Sequence, residues 1–179
     1  MADTLVFETH ATSLDNEAGL ASGWFDVDLS PRGEREAIEL GARYADRTLT
    51  VVYVSDLWRA WRTAHVAFGD RVPIVRDVRL RECDYGRCTR RSQREVEPIK
   101  VRHTETPFPG GESYRDVADR VRGCLEELLD ENDGTVLIIG HRATYCALEH
   151  LLRGVPLEEV VAASWTWQPG WWYDRPRLG

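Results

Sequence analysis

Three short apolar runs rich in β-branched residues constrain this chain more than any other feature: TLVF at 4–7, LTVVYV at 49–54 and TVLIIG at 135–140. Each is too short for a confident helix and does not alternate with polar residues, the pattern of a strand buried on both faces of a sheet. Amphipathic stretches separate them, opening at Ser30 (SPRGEREAIELGARYADR), Asp56 (DLWRAWRTAHVAFG) and Ser113 (SYRDVADRVRGCLEELLDE). Ser and Asp are helix-capping residues and Pro31 suits a first helical position, so three helices are expected to begin there. After the third run, RATYCALEHLLRG makes a fourth helix that Gly154 stops and Pro156 follows. Strands alternating with helices predict an α/β fold, a three-layer α/β/α sandwich around a mainly parallel central sheet.

A chain of 179 residues is expected to form one domain, 1–179. Its stretch at about 83–111 has little periodicity and reads as an excursion from the sheet, of the kind that shapes a substrate pocket. The formal charge of −7 argues against nucleic acid or an anionic membrane as partner, so any anion site must be a local basic pocket. No run approaches the roughly 20 apolar residues of a membrane span. The opening MADTLVFETH lacks the cationic and apolar regions of an export signal, and a cytoplasmic protein is expected. Cys83, Cys88, Cys124 and Cys146 show no paired spacing and read as free thiols, so neither a metal nor a cofactor is expected.

In an open parallel sheet, ligands bind beyond the carboxyl ends of the strands. The first run delivers His10 there, the second leads to Arg59 a turn into its helix, and the third delivers His141. A lone histidine at a strand end is more often structural, but two at equivalent ends, joined by a guanidinium, suit phosphoryl transfer without a metal. One imidazole can attack phosphorus while the other groups hold the transferring oxygens.

Six segments then carry a family resemblance in the right order: THATSLDN (9–16), LSPRGEREA (29–37), SDLWRAWRTA (55–64), LRECDYG (80–86), FPGGES (108–113) and VLIIGHRAT (136–144). They resemble the signatures of the histidine phosphatase superfamily, also called phosphoglycerate mutase-like, and the resemblance spans nearly the whole chain. It implies a nucleophilic His10, an acid/base carboxylate on Glu82 and a second active-site histidine on His141. Arg59 and Asn16 fall on phosphate-site positions. The implied reaction has two steps: His10 attacks a phosphate monoester while Glu82 protonates the leaving oxygen, and water then hydrolyses the phosphohistidine. The implied partner is a small phosphorylated metabolite, and a homodimer is left open.

The chain departs from the family pattern at three places. The signature opens on an Arg that contacts phosphate, and Thr9 stands there instead. Losing one preorganised donor typically costs about 2.7–4 kcal/mol, a factor of roughly a hundred to a thousand in rate. Either the charge has moved, with Arg142 beside His141 as the candidate, or the chemistry has changed. Arg142 has a bland alternative, capping local carbonyls or pairing with Glu8; Glu8 is expected either to orient an imidazole or to answer Arg142. Second, Arg87, Arg90, Arg91 and Arg94 cluster after Gly86, as a solvated face or as a lid for a further anion. The compact excursion leans the reading toward a phosphatase and away from a mutase. Third, the tail SWTWQPGWWYD holds four of the seven Trp, expected to close the core or an edge strand, or else to stack on a ring-bearing leaving group. Two alternatives to the phosphatase stand: a weakened phosphate-ligand binding protein, and a biosynthetic enzyme using the His/Glu/His pocket for other acid–base chemistry.

Overall fold

The computed structural model describes residues 2–179. Its sheet has five strands in the order β3-β2-β4-β1-β5: β1 is Thr4–Thr9, β2 Val51–Ser55, β3 Ile74–Asp77, β4 Thr135–Gly140 and β5 Trp171–Asp174. The first four are parallel to their neighbours and β5 runs antiparallel along β1. The expected three runs are therefore the inner strands. Two edges join them, of which the sequence reading identified neither firmly.

Alternation along the inner strands splits the core into two layers. Leu5, Phe7, Val136 and Ile138 point to one face, where they meet α5 (Tyr114–Glu131) and α6 (Arg142–Arg153) through Val117, Val121, Leu125 and Leu148. Val6, Val52, Val54, Leu137 and Ile139 point to the other, against Leu40, Ala60, Ala64 and Phe68 of α2 (Pro31–Arg43) and α3 (Trp58–Phe68). The strands are apolar throughout because both faces are covered. This is the expected α/β sandwich, with α1 (Leu14–Glu17), α4 (Gln93–Val96) and α7 (Leu157–Ala162) as short additions.

Ser30 caps α2 by accepting from the Gly33 N–H, and Ser113 caps α5 in a reciprocal box with Asp116. Asp56 does not cap α3 as expected. Leu57 takes the N-cap position without a side-chain bond, and the Asp56 carboxylate instead forms a two-point pair with Arg81 at 2.6 and 2.8 Å. The excursion is not featureless either. It folds into short 3-10 turns and α4, and Arg120 of α5 holds its two flanks by donating to Glu112 on one side and to the carbonyls of Arg79 and Glu82 on the other. No described helix is long and apolar enough to cross a membrane.

Candidate active site

β1 and β4 are neighbours in register, with Thr9 opposite Gly140, so His10 and His141 leave the sheet side by side. Their ring centres lie 5.0 Å apart. His141 is the N-cap of α6 and is buried, whereas His10 is half-buried on the crevice floor. Arg59 arrives from the first turn of α3, 2% exposed, and its guanidinium donates to the carbonyls of Gly23 (2.8 Å) and Phe25 (3.1 Å).

Hydrogen-bond partners fix the tautomers. The Nδ1 of His10 lies 2.7 Å from the Ala11 carbonyl, which can only accept, so Nδ1 carries the proton and Nε2 keeps its lone pair. The Nδ1 of His141 faces Nη2 of Arg59 at 3.4 Å, a group that can only donate, so its proton sits on Nε2. That buried Nε2 has no protein partner. Burial, with the Arg59 charge adding to it, lowers the His10 pKa to about 3. The same two causes push His141 well below its ordinary value. At neutral pH the site thus holds one imidazole with an open lone pair and a second with an open N–H.

Glu82 is buried and lines the same crevice. Its Oε1 accepts from the backbone N–H groups of Cys83 (2.8 Å) and of Ala143 (3.2 Å) at the amino end of α6. Its other oxygen, Oε2, takes part in neither bond. The Glu82 carbonyl is held by Trp24 and Arg120, at 2.7 and 2.9 Å. One cavity of about 870 Å³ takes in His10, Arg59, Glu82, His141, Thr9, Asn16 and Arg142.

Not all of these side chains face the chemistry equally. Asn16 is exposed and its Oδ1 accepts from the Ser13 N–H and hydroxyl in the cap of α1. Arg142 donates to the carbonyls of Val160 and Ala163, at 3.2 and 2.6 Å, and lies over Trp165, which is the bland alternative of the two weighed. Glu8 does neither thing expected of it, since its carboxylate pairs with Arg43 (3.1 Å) and the Tyr44 hydroxyl (3.0 Å). Arg87, Arg90, Arg91 and Arg94 are exposed and none lines the cavity; Arg90 instead pairs with Asp15. From the excursion, Gln93, Val96, Glu97 and Lys100 do line it. Lys100, which sequence reasoning passed over, is paired with Glu97 at 2.6 Å and lies over the buried Tyr85 ring. Among the described residues no group of three or more His, Cys, Asp and Glu is arranged to hold a metal.

The model of the histidine phosphatase superfamily (branch 1) matches residues 5–167. The chain belongs to that superfamily. Its relatives include phosphatases and mutases. It is 34% identical over 163 residues to "Phosphoserine phosphatase 1" of Hydrogenobacter thermophilus, covering 80% of this chain and 75% of the relative. It is 32% identical over 179 residues to a "2,3-bisphosphoglycerate-dependent phosphoglycerate mutase" of Bartonella bacilliformis, covering 90% and 86%. Among solved structures, a mycobacterial glucosyl-3-phosphoglycerate phosphatase complexed with VO3 superposes with a TM-score of 0.81 at 26% identity, covering 99% of this chain and 97% of that one. Membership supports phosphatase-type activity and confirms the phosphoglycerate mutase-like fold for this member of the superfamily.

Proposed function

We propose that this superfamily member is a phosphatase that hydrolyses a small-molecule phosphate monoester through a phosphohistidine on His10. The observation that carries the reading is the tautomer of His10: with Nδ1 committed to Ala11, the lone pair on Nε2 is free beside a buried guanidinium. Attack forms the Nε2–P bond and breaks the bond from phosphorus to the ester oxygen, which takes a proton from Glu82. Water then attacks the phosphohistidine with Glu82 as base and releases phosphate. Arg59 and the open Nε2–H of His141 supply the donors for the equatorial oxygens. Thr9 offers a hydroxyl, and Asn16 and Arg142 line the same cavity.

The test is a labelled phosphate ester, rapid acid-sensitive trapping of phosphoenzyme, and the same trap on His10→Ala. A label that needs His10 is expected. A protein that binds esters without forming phosphoenzyme would instead be the weakened binding protein, and one that does neither would point to acid–base chemistry on another substrate. Thr9, with no cationic side chain, is the residue that keeps these two alternatives in view.

A further inference from the structure

The cavity that holds His10 extends past Thr9 to Leu40, Arg43, Ser164, Trp165 and Trp167. Register explains why the tail arrives there. Phe7 of β1 stands opposite Trp171 of β5, and the Gly170 N–H bonds the Glu8 carboxylate, so the segment before β5 turns back beside the carboxyl end of β1.

The two tryptophans of that segment are in different situations. Trp165 is fixed on several sides: it stacks on Trp171 at 5.1 Å, meets the edge of Tyr145 at 5.1 Å and lies under the Arg142 guanidinium at 4.7 Å. Arg142 also holds the Val160 and Ala163 carbonyls, which anchors the start of the segment to the residue next to His141. Trp167 is 54% exposed, and its one ring or cation contact among the described residues is Arg43, 5.8 Å from the ring centre. An indole left this open is a ready stacking surface, and here it lines the same cavity as a nucleophile. Thr9 lines the same cavity, with a hydroxyl and a methyl as its whole side chain.

We propose that Trp167, with Arg43 beside it and the Arg142–Trp165 contact beneath its segment, forms a leaving-group subsite for a flat ring. The substrate class is then the phosphate monoester of an aromatic or heteroaromatic alcohol. This rests on the phosphatase reading of His10: the ring alcohol departs with the proton from Glu82 while its phosphoryl group passes to Nε2.

The experiment is calorimetry on His10→Ala, which cannot form the phosphoenzyme, with 1-naphthyl phosphate, glycerol 3-phosphate and inorganic phosphate. Naphthyl phosphate is expected to bind about tenfold more tightly than glycerol 3-phosphate, the size of a stacking contribution. Adding Trp167→Ala should abolish that preference and leave inorganic phosphate unchanged, while Trp167→Phe should keep most of it. Equal binding of the two esters, or a preference that survives Trp167→Ala, overturns the inference. Phosphoenzyme trapping on the His10 protein judges the phosphatase reading separately: label without ring preference sinks only the subsite, and a protein that binds no ester and takes no label sinks both.

Discussion

Arg59 concentrates the electrostatics of the site in one side chain. It is 2% exposed, and its hydrogen-bond partners are two carbonyls and an imidazole nitrogen, with no carboxylate touching it among the described residues. A desolvated guanidinium with only neutral partners is a strong attractor for an anion. It also braces the loop that supplies Gly23 and Phe25. Arg59→Ala is expected to lower kcat/KM for a phosphate ester by a factor of about a hundred to a thousand. It should also cost about 1–3 kcal/mol of stability, because the buried Gly23 carbonyl loses a charged donor. Arg59→Lys, which has no planar fork to span both carbonyls and His141, should recover little of the rate. Steady-state kinetics and urea unfolding on the three proteins check both parts; a Lys variant with near-native kcat/KM would contradict the forked role. Arg59 was legible in the sequence through its place one helical turn past a strand end and through the family resemblance of SDLWRAWRTA. The tautomers were not, because they depend on which carbonyl or guanidinium the fold puts beside each ring.

Elements set how finely those residues are placed. The loop after His10 is held from three sides: the Ala11 N–H donates to Thr63 of α3, the Thr12 N–H donates to Glu36 of α2, and the Thr12 carbonyl accepts from Ser30. Gly33 lets α2 come this close, since a Cβ there would stand 2.0 Å from the Thr12 carbonyl oxygen. Gly33→Ala is therefore expected to force backbone apart, with a loss of about 1–3 kcal/mol and a fall in kcat that reflects the shifted loop. Gly123→Ala in the interior of α5 is the contrast. Its nearest neighbour would be the flexible end of Arg79 at 3.9 Å, so this variant should gain up to about 1 kcal/mol and keep its rate. Urea midpoints and kcat for the pair check this, and an unchanged Gly33→Ala protein would refute it. The inner strands and long helices were readable from periodicity because burial on two faces, or on one, leaves a mark every residue or every turn. β3 was not: Ile74 and Asp77 are half-buried while Val75 and Arg76 are exposed, so no apolar run announces this edge. α7 and the folded excursion escaped for the same reason, being too short for a period and held by contacts distant in sequence, such as Arg120 to the Glu82 carbonyl.

At the scale of the whole molecule, the site makes the fold acid-sensitive. Burial and the Arg59 charge keep His10 neutral down to about pH 3, against an ordinary value of 6.5, and they lower His141 in the same direction. An unfolded chain takes protons on both imidazoles as the pH drops through 6.5, and the folded chain does not. Protons therefore favour unfolding, and stability is expected to fall from about pH 6.5 downward. A second loss should begin near pH 4. The Asp56 carboxyl is held below its ordinary 3.8 by hydrogen bonds from Arg81, and Asp116 by those from Ser113, so the stability both contribute above that value disappears as they protonate. Glu8 works against the first stage: burial raises its pKa above 4.5, so as the pH falls toward 4.5 the folded chain takes up this proton before the unfolded one and gains stability. The two stages separate by mutation. In His10→Asn with His141→Asn, the urea midpoint should be nearly constant from pH 7 to pH 5, while the unmodified protein declines over that interval, and both should weaken below pH 4. A decline of equal size in both proteins between pH 7 and 5 would show that the crevice imidazoles take up protons in the folded chain as readily as in the unfolded one. The lone pair that phosphoryl transfer to His10 requires would then be lost as the pH falls through 6.5, and the burial and charge of the crevice would not be what preserves it.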